Sequence, residues 1–274
     1  MTKKIDTLVD DIYELLDKGS KDLNKVNLIV MGVEIQDAMR KQLWVSASER
    51  KPTLRMSNIG KPCTRATWYD MNGDDKAEPF TPQTKLKFII GDIVESVLLF
   101  LAKEAGHTVE GEQKEIEIDG IKGHIDAIID GELVDVKSAS SFSMNKFRKG
   151  TLPKDDPFGY ISQISGYANA LDKKAGTFLA FDKSSGALIT YTHKEIEDTS
   201  KKIASLKEVV DQPEPPERCF SPVTEKKTGK KKLNINCSYC SHKMTCWEDQ
   251  KIRKAFSGRS PVFYIGEEDN GHTF

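Results

Sequence analysis

The sequence has no apolar run near the ~18 residues that a membrane-crossing helix requires. Its opening stretch, MTKKIDTLVDDIYELL, places acids where a secretory leader would be continuously apolar, so a cytoplasmic protein is expected. A surplus of positive charge is also missing. Forty-one Lys and Arg against 42 Asp and Glu leave a formal net charge of −1. That balance argues against wholesale electrostatic capture of nucleic acid, yet it permits a local basic groove, because phosphates are met by patches and not by totals. A disulfide framework is not expected in a reducing compartment, so the five cysteines are read by their spacing. What remains is a chain of 274 residues with 38% hydrophobic residues, long enough to bury a substantial core.

Periodicity organises the chain. Ile5, Leu8, Val9, Ile12, Leu15 and Leu16 form one helical stripe that Gly19 ends, and a second helix is predicted from about Leu28 to Leu43. Lys85 to Glu104 reads as an apolar helix with Ile90, Ile93, Val94, Val97, Leu98 and Leu101 on one face and Glu95 at its edge. Three strand-like runs follow, KEIEI, IKGHIDAII and ELVDVKSA, punctuated by Asp119-Gly120 and Asp130-Gly131. Asp-Gly between alternating apolar runs is a strong two-residue hairpin signal. Asp156 and Pro157 start a helix that continues through FGYISQISGYANAL. TFLAF and ALITYTH suggest another hairpin, a helix is expected near residues 194–210, and DQPEPPE reads as a linker. The order helix, three-strand meander, helix, strands gives an α+β core. The expected division is a helical N-terminal extension (1–50), a core (51–210), and a linker with a C-terminal cysteine segment (211–274).

The hairpin register carries the sharpest inference. If Asp130 and Gly131 are the turn residues, Ile129 pairs with Glu132 and Asp126 falls opposite Asp135. Opposed side chains on antiparallel strands have Cβ atoms only ~4.5–5.5 Å apart, and two like charges so placed destabilise a sheet unless something neutralises them. A divalent cation such as Mg²⁺ or Mn²⁺ does so, since both prefer oxygen ligands. Alternation puts Lys137 on the same face as Asp135. Two acids and a lysine suit phosphodiester hydrolysis, with Glu95 a candidate third carboxylate.

These residues carry a resemblance. Gly91-x-x-x-Glu95, Gly123-x-x-Asp126, Glu132-Leu-Val-Asp135-Val-Lys137 and Gln163-x-x-x-Tyr167 together resemble the ordered motifs of RecB-like PD-(D/E)XK nucleases. The resemblance implies a restriction-endonuclease-like core. It implies metal binding by Asp126, Asp135 and the carbonyl of Val136, with Lys137 catalytic and Gln163 and Tyr167 supporting the site and its DNA contacts. Glu95 departs from the pattern, because many relatives have histidine there.

Cys237-x2-Cys240-x5-Cys246 is a thiolate triplet that needs a fourth ligand, with zinc the generic expectation for such sites and His242 an alternative donor. With Cys63 far upstream, the pattern resembles the iron–sulfur nuclease domains of AddB and of CRISPR-associated RecB-like exonucleases, which implies a [4Fe–4S] cluster on Cys63, Cys237, Cys240 and Cys246. Ser57 to Tyr69 looks like that family's C-x-R-x-x-x-Y region. Cys219 is left as a free thiol. The run Glu225-Lys-Lys-Thr-Gly-Lys-Lys-Lys232, including Lys230, Lys231 and Lys232, is either a solvated loop or a sequence-independent phosphate contact. Arg65, Trp68 and Tyr69 either stack on single-stranded bases or belong to the core.

The resemblance, strongest to bacteriophage nucleases, implies an exonuclease acting on DNA ends in recombination, repair or replication. A helicase or recombinase partner and an oligomeric state are compatible with it, and no membrane partner is implied. A structure-specific endonuclease, a non-cleaving DNA-end-binding subunit and a zinc-stapled interaction protein are the competing expectations.

Overall fold

The computed structural model describes residues 3–44, 52–257 and 260–266. The end of the expected N-terminal extension, residues 45–50, and the end of the C-terminal segment, residues 267–274, lie outside the described residues. The chain forms two compact units: Met1–Gly60 with Thr81–Ala204, and Lys61–Phe80 with Ser205–Phe274. In chain order the elements begin with α1 (Leu8–Lys18), α2 (Lys25–Leu43), α3 (Thr64–Asn72), α4 (Pro82–Glu104), β1 (Val109–Glu110), β2 (Glu115–Ile118), β3 (Ile121–His124), β4 (Ala127–Ile129), β5 (Glu132–Ala139) and α5 (Ser141–Arg148). They continue with α6 (Tyr160–Ala170), β6 (Gly176–Asp182), β7 (Leu188–His193), α7 (Thr199–Val210), β8 (Val223–Thr224), β9 (Lys231–Lys232), α8 (Ile235–Ser238), α9 (Lys243–Cys246), β10 (Ile252–Ser257) and β11 (Ser260–Ile265).

The first unit is a mixed five-stranded sheet, ordered β1-β4-β5-β6-β7, with helices on both faces. The architecture is α+β. Its helices start where caps satisfy their first amides. The Asn24 side chain accepts from the Val26 and Asn27 amides, and Thr81 caps α4, whose first residue is Pro82. One face of the sheet is covered by α1 and α4, where Leu8, Ile12, Leu98, Leu99 and Ala102 pack on Ala127, Ile129, Val134, Val136 and Leu179. On the other face Phe147 of α5 and Tyr160 of α6 pack around Phe178, with ring centroids 5.5 and 6.2 Å away. Strand β5, in the middle of the sheet, runs antiparallel to β4 and parallel to β6.

Both Asp-Gly pairs are two-residue turns in which each residue has positive φ (Asp119 49°, Gly120 73°; Asp130 51°, Gly131 84°), the geometry that matches strand twist in a hairpin. The second turn is pinned from outside. The imidazole of His107, wholly buried, lies 2.6 Å from Asp130 Oδ2 and 3.1 Å from Asp11 Oδ2 of α1, while Asp130 Oδ1 accepts the Thr108 amide. The register of this hairpin is therefore tied to α1.

The middle strand-like run, IKGHIDAII, is not continuous. It breaks at Ile125 and Asp126, so that β3 pairs with β2 in a separate two-stranded sheet while β4 joins the main sheet. At the break, Asp126 turns its carboxylate onto the Val136 amide (2.7 Å) and Ile125 is fully buried. The expected three-strand meander is thus divided between two sheets.

The second unit holds α3 and a four-stranded sheet ordered β10-β11-β9-β8. Leu233, Trp247 and Phe263 form its small apolar cluster, against which Cys237, Cys246, Ile252 and Ile265 pack. Among the described residues no helix is long and apolar enough to cross a membrane.

Candidate active site

The sheet register delivers the carboxylates. Ile129 pairs with Glu132, Ile128 with Leu133 and Ala127 with Val134. Asp126 and Asp135 come next, one step past the last paired rung. Along β5 the alternation is clean. Val134 and Val136 enter the core under α4, whereas Asp135 and Lys137 turn toward α6. The Nζ of Lys137 lies 2.5 Å from Asp135 Oδ2 and 4.9 Å from the centre of the Tyr160 ring. Asp135 is 1% exposed, and its Oδ2 receives no hydrogen bond of normal geometry despite the nearby ammonium.

The electrostatics are those of an acid cluster short of positive charge. Burial, then the charges of Asp135 and Glu95, push the Asp126 carboxyl well above the usual carboxylate range. Burial also raises Glu95, to about 7, with Asp135 and Asp92 adding to the effect and a hydrogen bond from Gln113 Nε2 (2.5 Å) opposing it. For Lys137, burial alone would depress the ammonium, but Asp135 and Asp126 outweigh it and hold the lysine firmly protonated. Without a cation bound, Lys137 is the positive charge that balances the two aspartates.

These donors suit a hard divalent cation: two carboxylates and a third nearby, with one buried oxygen held by the Lys137 ammonium alone. Among the described residues no three His, Cys, Asp or Glu side chains already stand as a ligand cage. A bound cation would therefore exchange with the present contacts of Lys137 and Gln113.

Helix α6 backs the site. Gln163 Nε2 donates to Tyr167 Oη (3.0 Å), four residues on along the same helix face. Tyr167 is 4% exposed, and burial raises its phenol pKa. Gly123 explains how the ring fits: a Cβ there would lie 2.8 Å from Tyr167 Cε1 and 2.6 Å from Met56 Cβ. Gly91 differs, its nearest neighbour being Ser138 Oγ at 3.8 Å. Gly123→Ala is expected to cost about 1–3 kcal/mol by overpacking. Gly91→Ala in a helix interior should be neutral or stabilising by up to ~1 kcal/mol. Thermal unfolding of the two variants checks this contrast.

Cys63 and the triplet Cys237, Cys240 and Cys246 belong to the second unit, and among the described residues no three of them already stand as a ligand cage. Burial pushes the Cys63 thiol up to about 12 and the Cys237 thiol up to about 11, so ligation would have to displace their protons. His242 is differently employed. Its Nδ1 lies 2.9 Å from Asp74 Oδ2, its Nε2 2.9 Å from Asp70 Oδ1, and its ring stacks on Tyr69. With both nitrogens engaged it has no lone pair to offer a metal. Cys219 lies in the same unit, its sulfur 3.6 Å from Thr64 Oγ1.

Arg65 spends its guanidinium inside this unit, on the carbonyls of Pro215 and Pro216 and on Tyr69 Oη (3.0 Å). Trp68 Nε1 donates to the Gln212 carbonyl (2.9 Å), and Tyr69 is 7% exposed. In the lysine run, Lys230 and Lys231 are exposed, whereas Lys232 is partly buried, with its Nζ 3.3 Å from Glu225 Oε1. Sequence reasoning missed Tyr160 and Gln113. Neither belongs to a motif, and only their positions beside Lys137 and Glu95 reveal them.

No protein-family model and no curated protein matches the chain. Several solved structures align with the chain at low identity. SSO0001 is 17% identical, with a TM-score of 0.41, covering 81% of this chain and 96% of its own. An alkaline exonuclease from Laribacter hongkongensis is 15% identical (TM-score 0.30; 75% and 88% covered). A phage-related exonuclease from Haemophilus somnus 129PT is 13% identical (TM-score 0.28; 76% and 89% covered).

Proposed function

We propose that this chain is a Mg²⁺- or Mn²⁺-dependent deoxyribonuclease that hydrolyses phosphodiester bonds at DNA ends. The observation that carries this reading is the buried Asp135 carboxylate, paired with Lys137 at 2.5 Å and close enough to Asp126 and Glu95 to raise both their pKa values. A structural ion pair would need one acid for its lysine, and this cluster has three. Asp126, Asp135, the Val136 carbonyl and Glu95 would hold the cation, which when bound acidifies a water and steadies the phosphate. Lys137 places positive charge where negative charge develops in the transition state, in surroundings dry enough to strengthen it. Tyr167 and Gln163 support the wall behind the two aspartates. Lys230 and Lys231 are proposed phosphate contacts that do not read sequence. Cys63, Cys237, Cys240 and Cys246 are proposed to hold a [4Fe–4S] cluster, or zinc in its place, as a structural staple.

Supplying labelled linear DNA and closed circular DNA in parallel, with Mg²⁺, Mn²⁺ or EDTA, tests this reading. Metal-dependent shortening of the linear form with the circle intact is expected. Nicking of the circle would assign an endonuclease, and binding to ends without cleavage would overturn the catalytic reading.

Glu95 sets the pH dependence. Its pKa is raised, so in the metal-free protein its stabilising protonated form is fully present below the ordinary value of 4.5 and is lost as pH rises through about 7. A cation competes with that proton. At limiting Mg²⁺, kcat/KM should therefore climb as pH passes about 7, and higher Mg²⁺ should move the midpoint downward. Glu95→Gln should flatten the rise in a pH–rate profile.

A further inference from the structure

We propose that Phe158 is a stacking platform that receives an unpaired nucleobase beside the scissile phosphate, a substrate contact that rests on the nuclease reading. The Phe158 side chain is 61% exposed, although it lies in a segment that is firmly held. Asp156 accepts the amides of Phe158 (3.3 Å) and Ile161 (2.8 Å). Gly159, at φ +74°, packs so closely on Gly60 that a Cβ would come within 2.2 Å of that residue's backbone. The exposure is therefore built in and does not come from a loose loop.

The ring also leads somewhere. Phe158 stacks on Tyr160, with centroids 5.3 Å apart and planes 27° apart, and Tyr160, which also packs on Phe178, has the ammonium of Lys137 4.9 Å from its ring centre. An aromatic ladder thus runs from the Lys137 ammonium to solvent. Across the Lys146–Asp155 ion pair (2.8 Å), α5 offers a second exposed aromatic, Phe142 (73% exposed), with Lys146 Nζ 5.4 Å from its ring. Exposed aromatic faces held on firm backbone are what an unpaired base recognises, each stacked base being worth about 1–3 kcal/mol whatever its identity. A base inside a duplex has both faces covered, so the occupant is a single strand or a frayed end.

The test uses single-stranded oligonucleotides bearing 2-aminopurine at either terminus, bound in EDTA to wild type, Phe158→Ala and Phe158→Trp. Wild type and the tryptophan variant should quench the fluorophore. The alanine variant should not, and its binding should weaken by about 5- to 150-fold. An abasic residue at the quenched position should weaken wild type by a similar factor and leave Phe158→Ala no worse. Equal quenching by Phe158→Ala, or no quenching by wild type when bound or because it fails to bind, would overturn the platform. Failure of the nuclease reading would show separately, as absence of metal-dependent cleavage whatever the fluorescence does.

Discussion

Asp126→Asn is expected to lower metal-dependent DNA hydrolysis by about 10³-fold while making the metal-free protein more resistant to heat at neutral pH. The loss follows from the several kcal/mol that a bound cation contributes to phosphoryl chemistry, at about 1.4 kcal/mol per factor of ten. The gain follows from the acid cluster. An ionised Asp126 faces Asp135 and Glu95 in a desolvated site, and its pKa is accordingly raised. A raised carboxylate stabilises the fold below its ordinary pKa, and that stability is lost as pH climbs through the folded-state value. Asparagine keeps an oxygen for the Val136 amide, which now binds Asp126 Oδ2 at 2.7 Å, and has no proton to lose. Lys137 retains Asp135 at 2.5 Å. The melting temperatures of the two proteins in EDTA should therefore converge in acid and separate as pH rises. A variant that is both inactive and stabler marks strain held for function. A variant that melts lower at every pH would mean that Asp126 serves the fold.

If the proposed cluster is present, Cys237→Ser and Cys246→Ser are expected to strip it from the second unit and to melt that unit. The apolar cluster there is small, and both cysteines pack against it. A structural metal contributes apparent binding energies of about 10–16 kcal/mol in zinc peptides. For a domain of this size, losing even ~3 kcal/mol lowers Tm by roughly 12–24 °C. Protein purified without oxygen should show iron, sulfide and a broad visible absorption, all lost in both variants, while Cys219→Ser should retain them. Zinc with no colour would assign the alternative ion. Unchanged melting and no metal in wild type would end the staple reading. Calorimetry with elemental analysis distinguishes the three.

The grouping of Asp126, Asp135 and Lys137 was legible because it follows from local geometry. Asp130-Gly131 fixes a two-residue turn, the turn fixes the register, and the register sets Asp126 beside Asp135 and turns Lys137 to the same face. Less legible was anything decided by distant partners. The break at Ile125 and Asp126 depends on Asp126 finding the Val136 amide, and α5, a short helix capped by Ser140, was not read from the sequence. The sheet of the second unit, built from β8 to β11, arises from short strands in a lysine-rich, linker-like stretch whose pairing is set by tertiary contacts. His242 and Arg65 read as a metal donor and a DNA contact because composition shows what a side chain can do. Their partners, Asp70 and Asp74 for one and the Pro215 and Pro216 carbonyls for the other, show what each is doing.

The most direct measurement compares wild type, Asp135→Ala and Lys137→Ala on the same end-labelled linear DNA, with Mn²⁺ and with EDTA. The predicted result is cleavage by wild type that requires the metal and that disappears in both variants while each still binds DNA. Cleavage that persists in Asp135→Ala, or in EDTA, would contradict a metal site built on this carboxylate.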